Sequence, residues 1–191
     1  PPGGVVQGDQ LSVNISLNKS AHALITTPAA RKFYRSSGQT AVLKQQIQVK
    51  TDSQMEWLPQ ETLLFNHSKV ELESIINLQG SARFIGWEML CLGRKASHEN
   101  YTSGHCRQVF EIWRDGRPIF IERTSLTGGE PLLTQKWGLA DLPVSATMVA
   151  TDCHQAQIKV VQDYLQTLRI EDQISATLKN DLLICRFLGY Q

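Results

Sequence analysis

A hydrophobic period of two recurs along this 191-residue chain and limits it, before anything else, to structures built of half-buried strands. In LSVNISL (11–17), Leu11, Val13, Ile15 and Leu17 alternate with polar residues. AHALITT (21–27) follows after a short turn, and AVLKQQIQVK (41–50) places Leu43, Ile47 and Val49 on one face. KVELESIINLQ (69–79) sets Val70, Leu72, Ile76 and Leu78 against Lys69, Glu71, Glu73 and Asn77. Successive side chains of an extended chain point to opposite faces, so each segment predicts a strand with one buried side. RQVFEIWRDGRPIFIERTSL (107–126) predicts a hairpin, because Asp115-Gly116 is a two-residue turn signal between two apolar runs. VSATMVATD (144–152) predicts another strand, and SATLKNDLLICRFLG (175–189) a strand, a turn at 179–181 and a strand. Helix is expected only in QIKVVQDYLQTLRI (157–170), where Ile158, Val161, Leu165 and Leu168 recur at spacings of three and four. The class is all-β. Sandwich, barrel and irregular β-solenoid all remain open, and no strict repeat period selects among them.

The chain is 41% hydrophobic and 19% charged, enough for one domain with a substantial core. Its 19 basic and 18 acidic residues leave a net charge of +1, and the cations are scattered. Neither a nucleic-acid platform nor an anionic membrane surface is indicated. No apolar run approaches the roughly 20 residues of a membrane span. The cysteines, Cys91, Cys106, Cys153 and Cys185, form no CxxC, and a cytoplasmic, reducing location is the expectation. The chain opens at PPGGVV without Met and stops at FLGYQ, so it reads as an excised piece whose ends are missing. No GxSxG, HExxH, Walker lysine loop or GxGxxG is present, which argues against an enzyme. PPGGVVQGD lacks the lysine of a phosphate loop and reads as a tight turn into the first strand.

Two kinds of polar residue stand out. His105-Cys106 and Cys153-His154 carry donors suited to nickel, copper or zinc. Neighbours in a strand face opposite ways, so neither pair chelates alone, and His98 joins His105 only if SHENYTSGHC folds back. A stand-alone nickel store or sensor built on His98, His105 and Cys106 is the alternative reading of this chain. The second kind is carboxylates in apolar runs: Glu88 in FIGWEMLCLGR (84–94), Glu122 in PIFIER and Glu56 in QMEWLPQ. An unpaired carboxylate in an apolar interior costs several kcal/mol or more, so Glu88 must be exposed, neutralised by a partner or retained for a function. Glu122 is followed by Arg123, Glu111 is near Arg114, and Asp9 follows Gly8; each acid is expected to face solvent or to position a turn through an ion pair. In WLPQETLLF (57–65), Pro59 interrupts a strand and marks an edge, bulge or bend, either a corner of the fold or a surface shown to a partner.

PPGGVVQGD, TTPAARKFYRS, EWLPQETLLF, GWEMLCLGR and PIFIER, in this order from residue 1 to about residue 126, resemble the urease accessory proteins of the UreD type, called UreH in some bacteria. The resemblance implies a single UreD-type domain over residues 1–191, folded as an elongated, irregular β-helix-like stack of strands with one or two helices. It implies an assembly chaperone that binds apo-urease and a UreF-type scaffold, which recruits a UreG-type GTPase. It implies that Ni²⁺ is delivered in transit through an interior passage, with no tightly bound cofactor. By motif position the passage acids fall on Asp9, Glu88 and Glu122. Arg31, in AARKFYR, stands where some relatives carry a small polar residue, and a cation facing the passage would repel Ni²⁺. Phe33, Tyr34 and Arg35, with Trp57, Pro59, Gln60 and Glu61, fall in motifs that are structural or face a partner.

Overall fold

The computed structural model describes residues 3–170 and 173–190, so Pro1 and Pro2 of PPGGVVQGD lie outside the described residues. The alternating segments wind into stacked coils of an irregular β-solenoid. The first coil carries β1 (Gln10–Leu17), β2 (His22–Thr26) and β3 (Arg31–Phe33). The second carries β4 (Ala41–Val49), β5 (Gln54–Leu58) and β6 (Thr62–Leu64), and the third β7 (Lys69–Leu78) and β8 (Arg83–Leu92). Strands of successive coils pair in parallel: β1 with β4 and β4 with β7 in one sheet, β2 with β5 and β5 with β8 in the other. β3 pairs with β6 and β6 with the far half of β8. Unequal loops explain why the sequence carries no fixed repeat. Gln10 lies opposite Val42, and Val42 opposite Glu71, but Lys69 lies opposite His105.

After β8 the chain leaves the regular coil. β9 (His105–Arg114) adds in parallel to β7, and β10 (Arg117–Thr127) returns antiparallel to it. Asp115 and Gly116 connect them with φ of 47° and 75°, the left-handed pair that a two-residue hairpin turn requires. After the short helix α1 (Pro131–Thr134), β11 (Val144–Ala150) pairs antiparallel with β8, followed by the helix α2 (Gln155–Leu168) and the strands β12 (Ile174–Lys179) and β13 (Leu182–Gly189). Among the described residues the sheets therefore run β1-β4-β7-β9-β10 and β12-β13-β11-β8-β5-β2.

The apolar face of each strand points between the sheets. One core cluster holds Ile47, Trp57, Ile76, Phe84, Phe110 and Ile112; a second holds Phe33, Leu43, Leu64, Leu72, Leu90 and Cys106. A third lies where α2 meets the opposite face of the second sheet, burying Ile158 against Leu183 and Cys185. Leu168, predicted on that buried stripe, is exposed instead. It is the last helical residue, followed by Arg169 in a left-handed conformation, and the cluster ends before it.

Candidate functional site

Between the two large core clusters the inner faces turn polar. β4 presents Ala41, Leu43, Gln45, Ile47 and Val49 inward; β7 presents Val70, Leu72, Ser74, Ile76 and Leu78; β8 presents Phe84, Gly86, Glu88, Leu90 and Leu92. The polar member stands at the middle of each series. Gln45 and Ser74 are register partners, and both reach Glu88 across the interior. Ser74 Oγ donates to Glu88 Oε1 at 2.7 Å, Gln45 Nε2 donates to the same oxygen at 3.2 Å, and Gln45 Nε2 also donates to Ser74 Oγ at 2.7 Å. Arg31, at the start of β3, sends Nη2 to Gln45 Oε1 at 3.1 Å. The amide of Gln45 thus stands between a guanidinium and a carboxylate, its oxygen toward one and its nitrogen toward the other.

Glu88 is 6% exposed, and burial drives its pKa up; the Ser74 hydroxyl, the Arg31 charge, the Trp57 indole and the Gln45 amide pull the other way. Burial likewise lowers Arg31 from its usual high value, opposed by the nearby Glu88 charge. The indole Nε1 of Trp57 is buried beside this carboxylate yet makes no well-formed hydrogen bond. Such an orphaned donor is the kind of group an interior water or ligand satisfies. Gly86 holds Trp57 close: a Cβ there would sit 2.9 Å from the Trp57 carbonyl oxygen.

The gap that admits this chemistry is made by proline. β5 ends at Leu58 and β6 starts at Thr62, so the middle of β8 has no strand on that side. Pro59 cannot donate to a ladder, and its carbonyl instead accepts a 2.7 Å bond from Trp87 Nε1. The Arg31 N–H donates to the Glu61 carbonyl at 2.8 Å, which fixes the backbone of the next chain turn over the same gap.

On the other side the polar row continues. Glu88 is opposite Thr147 on β11, and Thr147 opposite Arg186 on β13, so all three share the inner face. In the first sheet Ser74 lies opposite Phe110, and Phe110 opposite Glu122. The two rows meet where Arg186 Nη2 and Nε donate to Glu122 Oε2 at 2.8 and 3.1 Å. A cleft of about 410 Å³ opens there, lined by Glu122, Thr147 and Arg186. At the opposite end a cleft of about 570 Å³ is lined by Gly3, Gly4, Ala29, Ala30 and Arg31. A buried polar set, Gln45, Ser74, Glu88 and Thr147, thus lies between two surface clefts, with Phe110 of the apolar core between Ser74 and Glu122 in the first sheet. Its oxygen ligands (carboxylate, amide and hydroxyl) suit weak, exchangeable binding of a divalent cation.

The other expected site residues fall elsewhere. Asp9 closes the turn into β1: its Oδ2 accepts from the Val6 N–H at 3.0 Å, and no hydrogen bond links it to Glu88. Glu122 pairs with Arg186 rather than with its sequence neighbour Arg123, which binds Glu111 instead. Arg114, near Glu111 in sequence, donates to the carbonyls of Gly80 and Ala82. Glu56 meets His22 at 2.7 Å on the outer face. Phe33, Trp57 and Pro59 are buried and serve the core, while Tyr34, Arg35, Gln60 and Glu61 keep contact with the surface. Tyr34 lies edge-on to Phe65, with ring centroids 4.7 Å apart. The His98, His105 and Cys106 set is corrected by the fold. Strand alternation puts Cys106 in the core and His105 outside, bonded to Thr127, and burial pushes the Cys106 thiol up to about 12. Among the described residues no cluster of three or more His, Cys, Asp or Glu side chains could hold a metal ion. Gln45, Ser74, Thr147 and Arg186 were not anticipated. The signal for the first two was present as single polar residues interrupting otherwise apolar alternate positions.

The whole chain, residues 1–191, matches the family model described as UreD urease accessory protein. The urease accessory protein UreD of Alcanivorax borkumensis is 38% identical over 189 residues, 99% of this chain and 64% of that protein. Those of Saccharophagus degradans and Citrobacter koseri are each 39% identical, over 99% and 100% of this chain and 66% and 64% of their own lengths. The chain therefore spans a little under two thirds of these curated relatives. No helix among the described residues is long and apolar enough to cross a membrane. With a match over its full length and relatives at this identity, the chain belongs to the UreD urease accessory protein family.

Proposed function

We propose that this chain is part of a urease assembly factor that passes Ni²⁺ toward apo-urease through the Glu88 layer, working in the cytoplasm and catalysing no reaction of its own. The observation that carries the reading is the buried polar set Gln45, Ser74, Glu88 and Thr147, flanked by Arg31 on one side and by the more exposed Glu122–Arg186 pair on the other, with a cleft beside each. Nickel is cargo here rather than a resident cofactor. A cation in transit needs oxygen donors along a dry route but must not meet a deep trap, since binding has to be strong enough to admit it and weak enough to release it. One carboxylate flanked by an amide and a hydroxyl meets that condition better than a thiolate–imidazole cage. The partners are apo-urease and a UreF-type scaffold that brings in a UreG-type GTPase; the family membership supports the first and makes the other two natural companions.

The test is co-purification of the full-length protein with apo-urease and the UreF- and UreG-type proteins, with and without Ni²⁺, followed by the nickel content of the urease. Association together with loss of nickel loading in Glu88→Ala is the expected result. A complex that assembles and loads nickel normally with Glu88→Ala overturns the passage. Absence of association, with tight nickel binding by this protein alone, overturns the assembly role.

A further inference from the structure

Resting on the passage reading above, we infer that Arg31 is an internal gate: its guanidinium and the travelling divalent cation exchange for the same acceptor, Gln45 Oε1, beside Glu88. The guanidinium holds Gln45 Oε1 at 3.1 Å, and the same amide holds Glu88 through its nitrogen. Gln45 Oε1, Ser74 Oγ and Glu88 Oε1 are the oxygen atoms a cation would use there. With Arg31 in place the first is taken and the carboxylate charge is offset by a nearby cation.

Electrostatics forbids both cations at once. In a buried layer of low effective dielectric, a guanidinium beside a divalent ion faces only one carboxylate, and two positive groups a few ångström apart repel strongly. The arrival of the ion therefore requires Arg31 to leave, and its return expels the ion. This answers a difficulty of any buried carboxylate on such a route, namely how a site that attracts Ni²⁺ avoids retaining it.

The surroundings of Arg31 permit the motion. Its backbone is fixed by pairing of β3 with β6 and by the bond to the Glu61 carbonyl, so the movement belongs to the side chain. That side chain has five donors, of which one is used in a hydrogen bond, and among the described residues it makes no direct ion pair. The cleft beside it, about 570 Å³, is walled by Gly3, Gly4, Ala29 and Ala30 together with Thr27 and Lys32, and its volume leaves room for a swung-out guanidinium. The opposite mouth is different: Arg186 makes two hydrogen bonds to the Glu122 carboxylate, against the one that Arg31 makes to an amide oxygen. The gate is thus assigned to the Arg31 end.

The experiment uses the full-length protein in its complex with the UreF-type scaffold and Ni²⁺ as the probe. Equilibrium dialysis measures Ni²⁺ retained at fixed free concentration, and transfer to apo-urease is followed in time. Arg31→Met keeps the aliphatic stem and removes the charge; Arg31→Gln is the second variant if the first fails to fold; Arg31→Lys keeps the charge. Loss of the charge is expected to raise Ni²⁺ retention about tenfold and to slow its release to urease, with Arg31→Lys close to the parent. If Arg31→Met and Arg31→Gln retain and transfer Ni²⁺ as the parent does while Glu88→Gln stops transfer, the gate is overturned and the passage stands. If Glu88→Gln also transfers normally, the passage itself fails and the gate with it.

Discussion

Ser74 and Glu88, 14 residues apart on consecutive strands, meet through a 2.7 Å hydrogen bond across the interior of the solenoid. Each occupies the middle of an apolar strand face, so the bond lies between two hydrophobic clusters rather than at an edge. A buried hydroxyl and a buried carboxylate each cost free energy if left alone; placed together, with Gln45 as a third member, they offset part of that cost.

The remainder of that cost gives a pH dependence with a definite sign. Burial raises the Glu88 pKa in the folded state above its unfolded value. Between the ordinary glutamate range, about pH 4, and the raised value, the folded protein holds a proton that the unfolded chain has released. The stabilising contribution is full below that window and is lost as pH rises through it. Glu88→Gln keeps the acceptor for Ser74 and has no charge to bury. It is expected to raise the melting temperature at about pH 8, with the gain shrinking toward zero as the pH falls to about 4. Melting curves of both proteins across this range decide it, and a variant that melts below the parent at the alkaline end refutes it.

Glu111 is a second buried carboxylate, but a paired one. Arg123 Nε and Nη2 donate to its Oε1 at 3.0 and 2.7 Å, and Trp113 Nε1 donates to its Oε2 at 3.0 Å. The acid side chain is 7% exposed and the arginine 63%, so solvent screens the cation but not its partner. Arg123→Met is expected to cost about 1–3 kcal/mol, chiefly by leaving the acid with the indole alone. Breaking the exposed Lys159–Asp163 pair by Lys159→Met should cost less than about 0.5 kcal/mol. Urea denaturation of the two variants at unchanged m-value measures the contrast.

Much of the fold was legible because strand parity is local. Leu43, Ile47 and Val49, and likewise Val70, Leu72, Ile76 and Leu78, were assigned to one face from spacing alone, and the Asp115-Gly116 turn from its residue types. The same series leave a visible gap at Gln45 and Ser74, yet the gap acquires meaning only when the register sets it opposite Glu88. Register depends on where each coil closes, and loops of unequal length hide that from any fixed period. Arg186 was still less accessible. It reaches Glu122 from 64 residues away, through an antiparallel strand pair that follows a helix. Isolated alternation gives the face of a residue; the neighbour across the core comes from topology.

Burial makes the cysteines a probe of native packing. All four are buried outside any disulfide, and Cys106 in particular has its thiol pushed up to about 12, far above working pH. The thiolate is the reactive form, so a buried, protonated thiol reacts slowly. At about pH 8, Cys106 in the native protein is expected to resist a thiol-directed disulfide reagent for as long as the fold holds, and to react at the ordinary rate in denaturant. Peptide mass spectrometry of samples quenched over time identifies the residue modified. Prompt native modification of Cys106 contradicts its assigned place in the core.

The KFYRS and WLPQE motifs divide between packing and contact, and the division can be measured. Phe33 is fully buried between β4, β7 and β8 residues of the second cluster, so Phe33→Ala should cost about 3–5 kcal/mol through the cavity it leaves. Arg35 and Glu61 follow a different logic. Arg35 is exposed, and Glu61 is tied into the fold by its backbone carbonyl, which accepts from Arg31, rather than by its side chain. Arg35→Ala and Glu61→Lys should therefore each change stability by less than about 0.5 kcal/mol. If this surface meets a partner, the same two variants weaken co-purification with the scaffold or with apo-urease while the melting temperature stays put. Weakened binding at constant stability assigns Arg35 and Glu61 to an interface, and unchanged binding in both leaves the motifs to the core residues Phe33, Trp57 and Pro59.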